Sequence, residues 1–322
     1  MVLMMAVPFG ILRMGDAASH QFLPFTLRKF TDDPALITFF ISMDIAISMI
    51  FAPFVAWKSD RIWTRIGRRK PFVLLSMLGA ALVLPFLPFT GSLLIAALTV
   101  SAYNFFGNLN LYELLYMEVV PPPQRGRASS MRQGAVLLAG LYMNLFLFAN
   151  FDSVTAFEIG GHSFSINGEM VAYFTIASLL FFAMMLLVFS VREVAPVEKP
   201  ASNEHFSIRL LLRSTFLDRQ LLKIYLLLFA IMAMGFGTQG LGGLMLTEQF
   251  GYSKSSMGKM YSILQVLQFV IALPLAGYLS DRVDRVKLFL AGISISTLFP
   301  ITYWLWIHFV AENNIPSIPA IM

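Results

Sequence analysis

The amino-acid sequence predicts an all-α protein that crosses a lipid bilayer many times, and three observations lead to this fold class. The 322 residues are 57% hydrophobic and 13% charged, with a mean hydropathy of +0.73. A soluble domain carries about 25% charged residues. Apolar runs of roughly 20 residues, enough to cross a bilayer as a helix, recur along the whole chain. Lys and Arg are concentrated between those runs.

The apolar runs predict nine transmembrane helices, at about 2–25, 35–57, 71–89, 92–118, 130–150, 169–190, 221–246, 254–278 and 286–308. The intervening segments 58–70, 119–132, 191–223 and 279–287 contain 6, 3, 6 and 3 of the 23 Lys and Arg residues. The positive-inside rule places these four segments in the cytoplasm. Membrane topology therefore accounts for the basic composition, and no nucleic-acid partner is expected.

The predicted helices form two groups. Residues 1–190 contain the first six helices, and residues 221–322 contain the last three. The cytoplasmic connection 191–220 begins with the Pro- and charge-rich stretch VAPVEKPASNEH, which predicts a flexible linker. Basic and apolar residues then alternate at helical spacing, which predicts an amphipathic helix on the membrane surface. The Gly-rich outer loop FDSVTAFEIGGHSFSINGEM is expected to form a hairpin-like cover.

A short charged motif occurs twice, 221 residues apart, each time at the cytoplasmic end of the second helix of its group. The matching pairs are Pro53 and Pro274, Trp57 and Tyr278, Ser59 and Ser280, Asp60 and Asp281, and Arg61 and Arg282. A general surplus of basic residues in cytoplasmic loops explains the Arg pair only. A repeat of two helical bundles with the same topology also explains the matched Pro and Asp.

These loops resemble those of the major facilitator superfamily of secondary transporters. The loop between helices two and three carries the resemblance through Asp60, Arg61, Arg65, Gly67, Arg68, Arg69 and Lys70. Segment EVVPPPQRGRASSMRQ resembles the loop between helices four and five, and the second motif copy resembles the loop between helices eight and nine. The segment SDR…TRxGRRKPF resembles most closely the same loop in the sucrose–proton and glycoside–pentoside–hexuronide symporter branches.

The resemblance implies twelve helices in two six-helix bundles. The chain ends where the tenth helix of such a protein would begin, so we expect an incomplete C-terminal bundle in a sequence truncated after helix nine. The alternative is a functional short form. In this family helices one, two, four, five, seven and eight line the central cavity, and helices three, six and nine form the outer scaffold.

Four ionisable residues are predicted to lie inside the membrane: Arg13, Asp16 and His20 in helix one and Asp44 in helix two. Offsets of three and four place the helix-one residues on one face. With a rise of ~1.5 Å per residue, both acids fall within about 5 Å of the bilayer midplane. Placing an ionisable side chain at that depth costs free energy, and such residues usually have a functional role. We therefore predict a proton- or cation-coupling cluster, the alternative being a network that only packs helices one and two together.

Polar side chains in helices four, five and eight predict a substrate cavity. They are Asn104, Asn108, Glu113, Asn144, Tyr261, Gln265 and Gln268. Amides offer paired donors and acceptors to sugar hydroxyls, and an aromatic face stacks on a pyranose ring. The alternative is that these residues form hydrogen bonds between helices.

A cytoplasmic gate is the role that the resemblance implies for the charged loops. Asp60 and Asp281 would pair with basic residues and helix ends across the two groups, closing the cytoplasmic side in one of two states. Asp281 is expected to meet the start of helix five, and Asp60 a region near a helix eleven that this chain lacks. The alternative is that these loops only fix the topology. The remaining predicted gate residues are Arg61, Arg65, Gly67, Arg68, Arg69, Arg125, Arg127 and Arg282.

The expected function is proton- or cation-coupled symport of a small polar solute, a sugar or glycoside, by alternating access of a monomer in the plasma membrane. The alternatives are an exporter of amphipathic compounds and a non-transporting sensor. An enzyme is not expected, because GFGTQG at 235–240 lies in an apolar span instead of a βαβ unit and no nucleophile motif is present. The four His residues lack zinc spacing and the chain has no Cys, so neither metal nor cofactor is expected.

Overall fold

The computed structural model describes residues 2–159, 162–193 and 242–280, together with short stretches between 207 and 227 and between 282 and 298. These residues are helical apart from connecting segments and one pair of strands, which agrees with the predicted all-α membrane fold. Several predictions fall outside the described residues: most of the linker with its amphipathic helix, most of helix seven with its GFGTQG stretch, most of helix nine, and Asp281.

The helices of the N-terminal group, here residues 2–193, follow one another through short connections. They are α1 Val2–Gln21, α2 Leu23–Arg28, α3 Pro34–Arg61, α4 Lys70–Val83, α5 Leu93–Gly107, α6 Tyr112–Val119, α7 Arg125–Tyr142 and α8 Gly168–Ser190. A 3-10 segment, Leu84–Phe89, extends α4, and a π-helical segment, Met143–Phe148, extends α7. A 3-10 turn, Pro122–Gln124, precedes α7.

The C-terminal group, here residues 242–284, contains three described helices. They are α9 Gly242–Glu248, α10 Lys254–Leu267 and α11 Leu273–Ser280, and the π-helical segment Gln268–Ala272 joins the last two. Within the described part of the chain, three helical stretches are long and apolar enough to cross a membrane: Lys70–Phe89, Pro122–Phe148 and Gly168–Ser190. They coincide with predicted helices three, five and six.

Side-chain caps fix where several helices begin. The Asp33 carboxylate accepts a hydrogen bond from the Ala35 N–H at 2.8 Å, and Pro34 occupies the first turn of α3. Ser92 caps α5 and Ser253 caps α10 in the same manner. These caps set the outer ends of α3, α5 and α10.

The predicted fourth helix is broken, which corrects the single span at 92–118. Helix α5 ends at Gly107 with Asn108 as its C-cap, and α6 begins at Tyr112. The Asn110 Oδ1 accepts a hydrogen bond from the Tyr112 N–H at 3.0 Å, which satisfies one donor at the new helix start. Irregular backbone at membrane depth is tolerated where it is buried in protein or lines a cavity.

The N-terminal helices pack around α1, which lies against both α7 and α8. Gly10 permits the close approach to α7, because a Cβ there would come within 2.7 Å of the Ala135 carbonyl oxygen. Helix α4 packs on α5 and α8, and α3 packs on α5. Helix α10 crosses to the N-terminal group and packs on α7 and on its π-helical extension.

The outer end of the N-terminal group is closed by aromatic packing and two strands. The Phe22 ring stacks on Phe148 at 5.8 Å between ring centroids and meets Phe151 at 5.2 Å. Strands β1 Val154–Ile159 and β2 His162–Asn167 pair antiparallel, with Val154 opposite Asn167. The predicted hairpin-like outer cover is therefore confirmed.

Candidate functional site

The predicted coupling residues lie together between α1, α3 and α5. The Asp44 Oδ1 accepts a hydrogen bond from the Asn108 Nδ2 at 2.9 Å. Asp16 and His20 both lie within electrostatic range of Asp44. The Arg13 Nη1 is 3.3 Å from the Asp16 Oδ2. The side chains of Arg13 and Asp16 remain 52% and 55% exposed, so this ion pair borders open space instead of packed protein.

Tyr103, on α5, completes this cluster and was not identified from the sequence. Its hydroxyl lies beside Ser19 of α1 and within electrostatic range of both Asp16 and Asp44. The residue is buried. A neutral hydroxyl beside two carboxylates provides a donor that either can use.

A chain of amide side chains crosses from α1 through α7 to α10. The Gln21 Nε2 donates to the Asn144 Oδ1 at 2.9 Å, and the Asn144 Nδ2 donates to the Gln265 Oε1 at 3.4 Å. The Gln265 Nε2 donates to the Val136 carbonyl oxygen at 3.3 Å. Asn144 is buried, so its amide is used between helices in this conformation and does not line an open cavity.

The other predicted cavity residues occupy different surroundings. Asn104 is buried, and this conformation does not expose it to a cavity. Tyr261 packs on Phe148, with 6.2 Å between the ring centroids. Gln268 is exposed at the first position of the π-helical segment after α10. Gln268, Asn108 and Asn144 all lie at interruptions of α-helical geometry, and π-helical segments occur frequently at functional sites.

Glu113 forms an ion pair with Arg132, a residue that the sequence reasoning left among the cytoplasmic basic residues. The Arg132 side chain is only 10% exposed, while that of Glu113 is 53% exposed. The guanidinium lies 3.7 Å from the centre of the Phe9 ring and 4.3 Å from that of Tyr116. The signal available in the sequence was its position inside the predicted span 130–150.

The loop between α3 and α4 forms a charged network inside the N-terminal group. The Arg69 Nη2 is 3.1 Å from the Asp60 Oδ1, and the Arg69 Nε is 2.8 Å from the Glu118 Oε1. Arg68 pairs with both acids, and its hydrogen bond to Glu118 raises the pKa of the guanidinium. The described partners of Asp60 thus lie in its own loop.

Glu193, just after α8, holds this loop from the other side. Its carboxylate accepts hydrogen bonds from the main-chain N–H groups of Arg68 at 2.8 Å and Lys70 at 2.6 Å, which caps the start of α4. In return, the Lys70 Nζ donates to the carbonyl oxygens of Val188 and Val191, at the end of α8. Glu193 therefore caps the start of α4, and Lys70 caps the end of α8.

The remaining predicted gate residues are distributed over the cytoplasmic side. Arg125 donates to the carbonyl oxygens of Met117 and Val120 and so caps the end of α6. Arg65 and Arg127 are exposed. Arg282 lies 4.3 Å from the centre of the Tyr278 ring. Arg61 has the same relationship to Trp57, also at 4.3 Å.

Ion pairs at the outer side, absent from the sequence predictions, join the two groups. The Arg28 Nε lies 2.7 Å from the Glu248 Oε1, and the Lys254 Nζ lies 2.5 Å from the Asp152 Oδ1. Lys254 also lies 4.3 Å from the centre of the Phe25 ring. These contacts hold the described parts of the two groups together at this side.

Comparison with known proteins identifies the family. The model of the Major Facilitator Superfamily matches residues 9–319. The chain belongs to this superfamily. A solved structure with the superfamily fold, described as the crystal structure of D-xylose-proton symporter, matches with a TM-score of 0.50 and 17% sequence identity. The match covers 87% of this chain and 69% of that chain. No curated protein matches the chain.

Membership in the Major Facilitator Superfamily makes the chain a multi-pass membrane protein of secondary transport. The structure places Asp16 of helix one and Asp44 of helix two within electrostatic range of each other. It adds residues that the sequence reasoning missed: Gln21, Arg28, Tyr103, Arg132, Asp152, Glu193, Glu248 and Lys254. Most of them pair with residues more than a hundred positions away in the sequence. A local sequence pattern cannot predict such pairs.

Proposed function

We propose that the protein is a proton- or cation-coupled symporter that carries a small polar solute across the plasma membrane by alternating access as a monomer. The observation that carries this proposal is the Asp16–Asp44–Asn108 cluster. Two carboxylates from different helices lie within electrostatic range of one another, with Arg13 and His20 beside them. Ionisable groups within transmembrane helices typically mark ion pathways.

In this proposal, the residues of the cluster couple ion binding to a change of conformation. Asn108 orients the Asp44 carboxylate through a direct hydrogen bond. When a proton or cation binds to or leaves the carboxylates, their attraction to Arg13 changes. Arg13 lies on the same helix face as Asp16. A change in charge at this cluster therefore alters the relative free energies of the conformations that bring α1 and α3 together or apart.

A sugar or glycoside is the proposed substrate class. The amide chain Gln21–Asn144–Gln265 and the aromatic face of Tyr261 offer donors, acceptors and a stacking surface at the crossing of α7 and α10. A protein of the same fold is a D-xylose-proton symporter. In the substrate-bound state, ligand hydroxyls would replace the two long hydrogen bonds of Gln265, at 3.4 and 3.3 Å.

Uptake by reconstituted protein tests this substrate class. Proteoliposomes with an imposed proton or sodium gradient are incubated with labelled monosaccharides, sucrose, maltose and a set of hydrophobic dyes. Accumulation of a sugar with discrimination against the dyes supports the proposal. Dye movement without sugar uptake points instead to an exporter of amphipathic compounds. Absence of both, from correctly folded protein, favours a non-transporting sensor.

A further inference from the structure

The ammonium group of Lys254 lies in an aromatic cage at the outer side of the protein. Its Nζ is 4.3 Å from the centre of the Phe25 ring and 4.6 Å from that of the Phe151 ring. The Asp152 carboxylate completes the cage, with its Oδ1 2.5 Å from the Nζ. The Lys254 side chain is only 11% exposed. Two aromatic rings and one carboxylate therefore surround most of this ammonium group.

The cage belongs entirely to the N-terminal group. Phe25 is part of α2, and Phe151 and Asp152 follow the π-helical extension of α7. Both rings are buried and pack on each other, with 6.4 Å between their centroids, and Phe25 also packs on Phe148. Lys254, in contrast, is the first residue of α10 in the C-terminal group. The cage is thus held by contacts of its own group, and Lys254 enters it as a ligand from the other group.

A cavity of about 400 Å³ lies beside the cage and gives a ligand room to enter. Phe25, Phe151, Asp152 and Lys254 all line this cavity. Its volume lies within the range of small-molecule pockets, ~300–1,000 Å³. The Asp152 side chain is 70% exposed, so its carboxylate is accessible from the outer solution.

The chemistry of the cage selects a primary alkylammonium ion. Aromatic rings attract a cation through their negative faces. The 2.5 Å distance between nitrogen and carboxylate oxygen requires an N–H donor on the cation, which a quaternary ammonium lacks. The two buried Phe rings also provide an apolar surface for an alkyl chain. A neutral sugar would lack the positive charge.

We propose that Phe25, Phe151 and Asp152 form an outer binding site for primary alkylammonium ions, which Lys254 occupies in this conformation as a tethered ligand. A free amine of the same class competes with Lys254 for the site. Because Lys254 is attached to the chain, its effective concentration there is on the order of millimolar, and the parent protein binds free amines weakly. An amine that displaces Lys254 removes one of the ion pairs between the two groups. The site goes beyond the proposed symport, because it does not involve the transported solute.

Replacement of the lysine side chain by n-butylammonium tests the site. Lys254→Ala leaves the cage without its ligand, and n-butylammonium supplies the alkyl chain and the ammonium group that the variant lacks. The melting temperature of the Lys254→Ala protein in detergent should rise with the n-butylammonium concentration and then saturate, with a dissociation constant on the order of 1–10 mM. Neutral n-butanol and tetramethylammonium, at equal concentration and ionic strength, should produce no saturable rise.

Lys259→Ala is the matched control variant, because Lys259 is an exposed residue of the same helix. Its melting temperature should not respond to n-butylammonium. In the Lys254→Ala protein, adding Asp152→Asn should raise the dissociation constant by roughly tenfold or more, and adding Phe25→Leu should raise it by about two- to fivefold. Equal responses of Lys254→Ala and Lys259→Ala would overturn the proposal, as would unchanged binding after Asp152→Asn.

The yield of folded protein gives a second measurement where Lys254→Ala alone folds poorly. n-Butylammonium in the purification buffer should then increase the amount of monodisperse Lys254→Ala protein, because a ligand that binds only the folded state stabilises it. n-Butanol should not do so. Equal yields with the two additives would contradict the proposal.

Discussion

The Arg28 guanidinium and the Glu248 carboxylate form a two-point ion pair between α2 and α9, with the Nε–Oε1 distance at 2.7 Å and the Nη2–Oε2 distance at 3.0 Å. Parallel N–H···O bonds of this kind combine charge attraction with a fixed orientation. The pair joins the N-terminal to the C-terminal group at the outer side. It therefore stabilises the arrangement in which α2 and α9 are in contact.

Removing the charge of Glu248 should favour opening at the outer side. The chain contains no Cys, and Ser262 of α10 is buried, so a Ser262→Cys protein has one thiol that reports opening. In that protein Glu248→Gln is expected to raise labelling by a membrane-impermeant maleimide added outside by about 1.4- to fivefold, since a partly exposed ion pair contributes ~0.2–1 kcal/mol. The difference from the parent should shrink as salt increases. Asp32→Asn is the control, because Asp32 also pairs with Arg28 but lies within the same group. An equal effect of both variants would contradict a role between the groups.

The reciprocal capping of α4 and α8 should contribute to stability. Replacing Glu193 with Ala leaves the N–H groups of Arg68, Arg69 and Lys70 without their acceptor. We expect a loss of about 2 kcal/mol in the free energy of unfolding, typical of hydrogen bonds to a charged group. Thermal unfolding in detergent measures it, with the exposed neighbour variant Arg192→Ala as control. Similar melting temperatures for the two variants would show that the cap is dispensable.

Gly67 is required at its position for two separate reasons. Its φ of +121° is a backbone conformation that residues with a side chain rarely adopt, and a Cβ there would come within 2.5 Å of the Glu193 carboxyl carbon. Gly67→Ala should therefore lower the melting temperature and displace Glu193 from its cap. Gly91→Ala, in a loop where a Cβ meets nothing within 4 Å, should leave the melting temperature unchanged. Equal melting of the two proteins would refute the requirement.

Arg132 is predicted to need its planar guanidinium and not only its charge. Lys in its place keeps the attraction to Glu113 but loses the stacking on Phe9 and Tyr116. We expect Arg132→Lys to reduce the initial rate of solute uptake at least tenfold, roughly the effect of losing one desolvated cation–π contact with its packing. Arg192→Lys, at an exposed position just after α8, should transport like the parent. Full activity of the Arg132→Lys protein would show that charge alone suffices.

Sequence patterns predicted the repeat and the depth of the acids because both depend on local spacing. The pairs Arg61 with Trp57 and Arg282 with Tyr278 place the guanidinium at 4.3 Å from the ring centre in each case, so the repeated motif repeats a contact. Asp16 and Asp44 lie within electrostatic range of one another, and counting residues along helices one and two predicts a similar depth for both.

What the sequence did not provide was the pairing between distant elements. Glu193 and Lys254 look like ordinary loop residues until the fold places them beside α4 and Asp152. Gly107, Asn108 and Asn110 lie at the break between α5 and α6, whereas the sequence analysis assigns Asn108 to a substrate cavity or to hydrogen bonds between helices. Asn108 both ends α5 and donates a hydrogen bond to Asp44.

Uphill solute accumulation by the Asp44→Asn protein tests the central claim most directly. Asn keeps the shape of the side chain and a partner for Asn108 but removes the charge. In proteoliposomes with an imposed proton or sodium gradient, the parent and the control Asp32→Asn should accumulate the solute above its external concentration. The Asp44→Asn protein should only equilibrate it. Accumulation by Asp44→Asn equal to that of the parent, at matched amounts of reconstituted protein, would contradict coupling through this cluster.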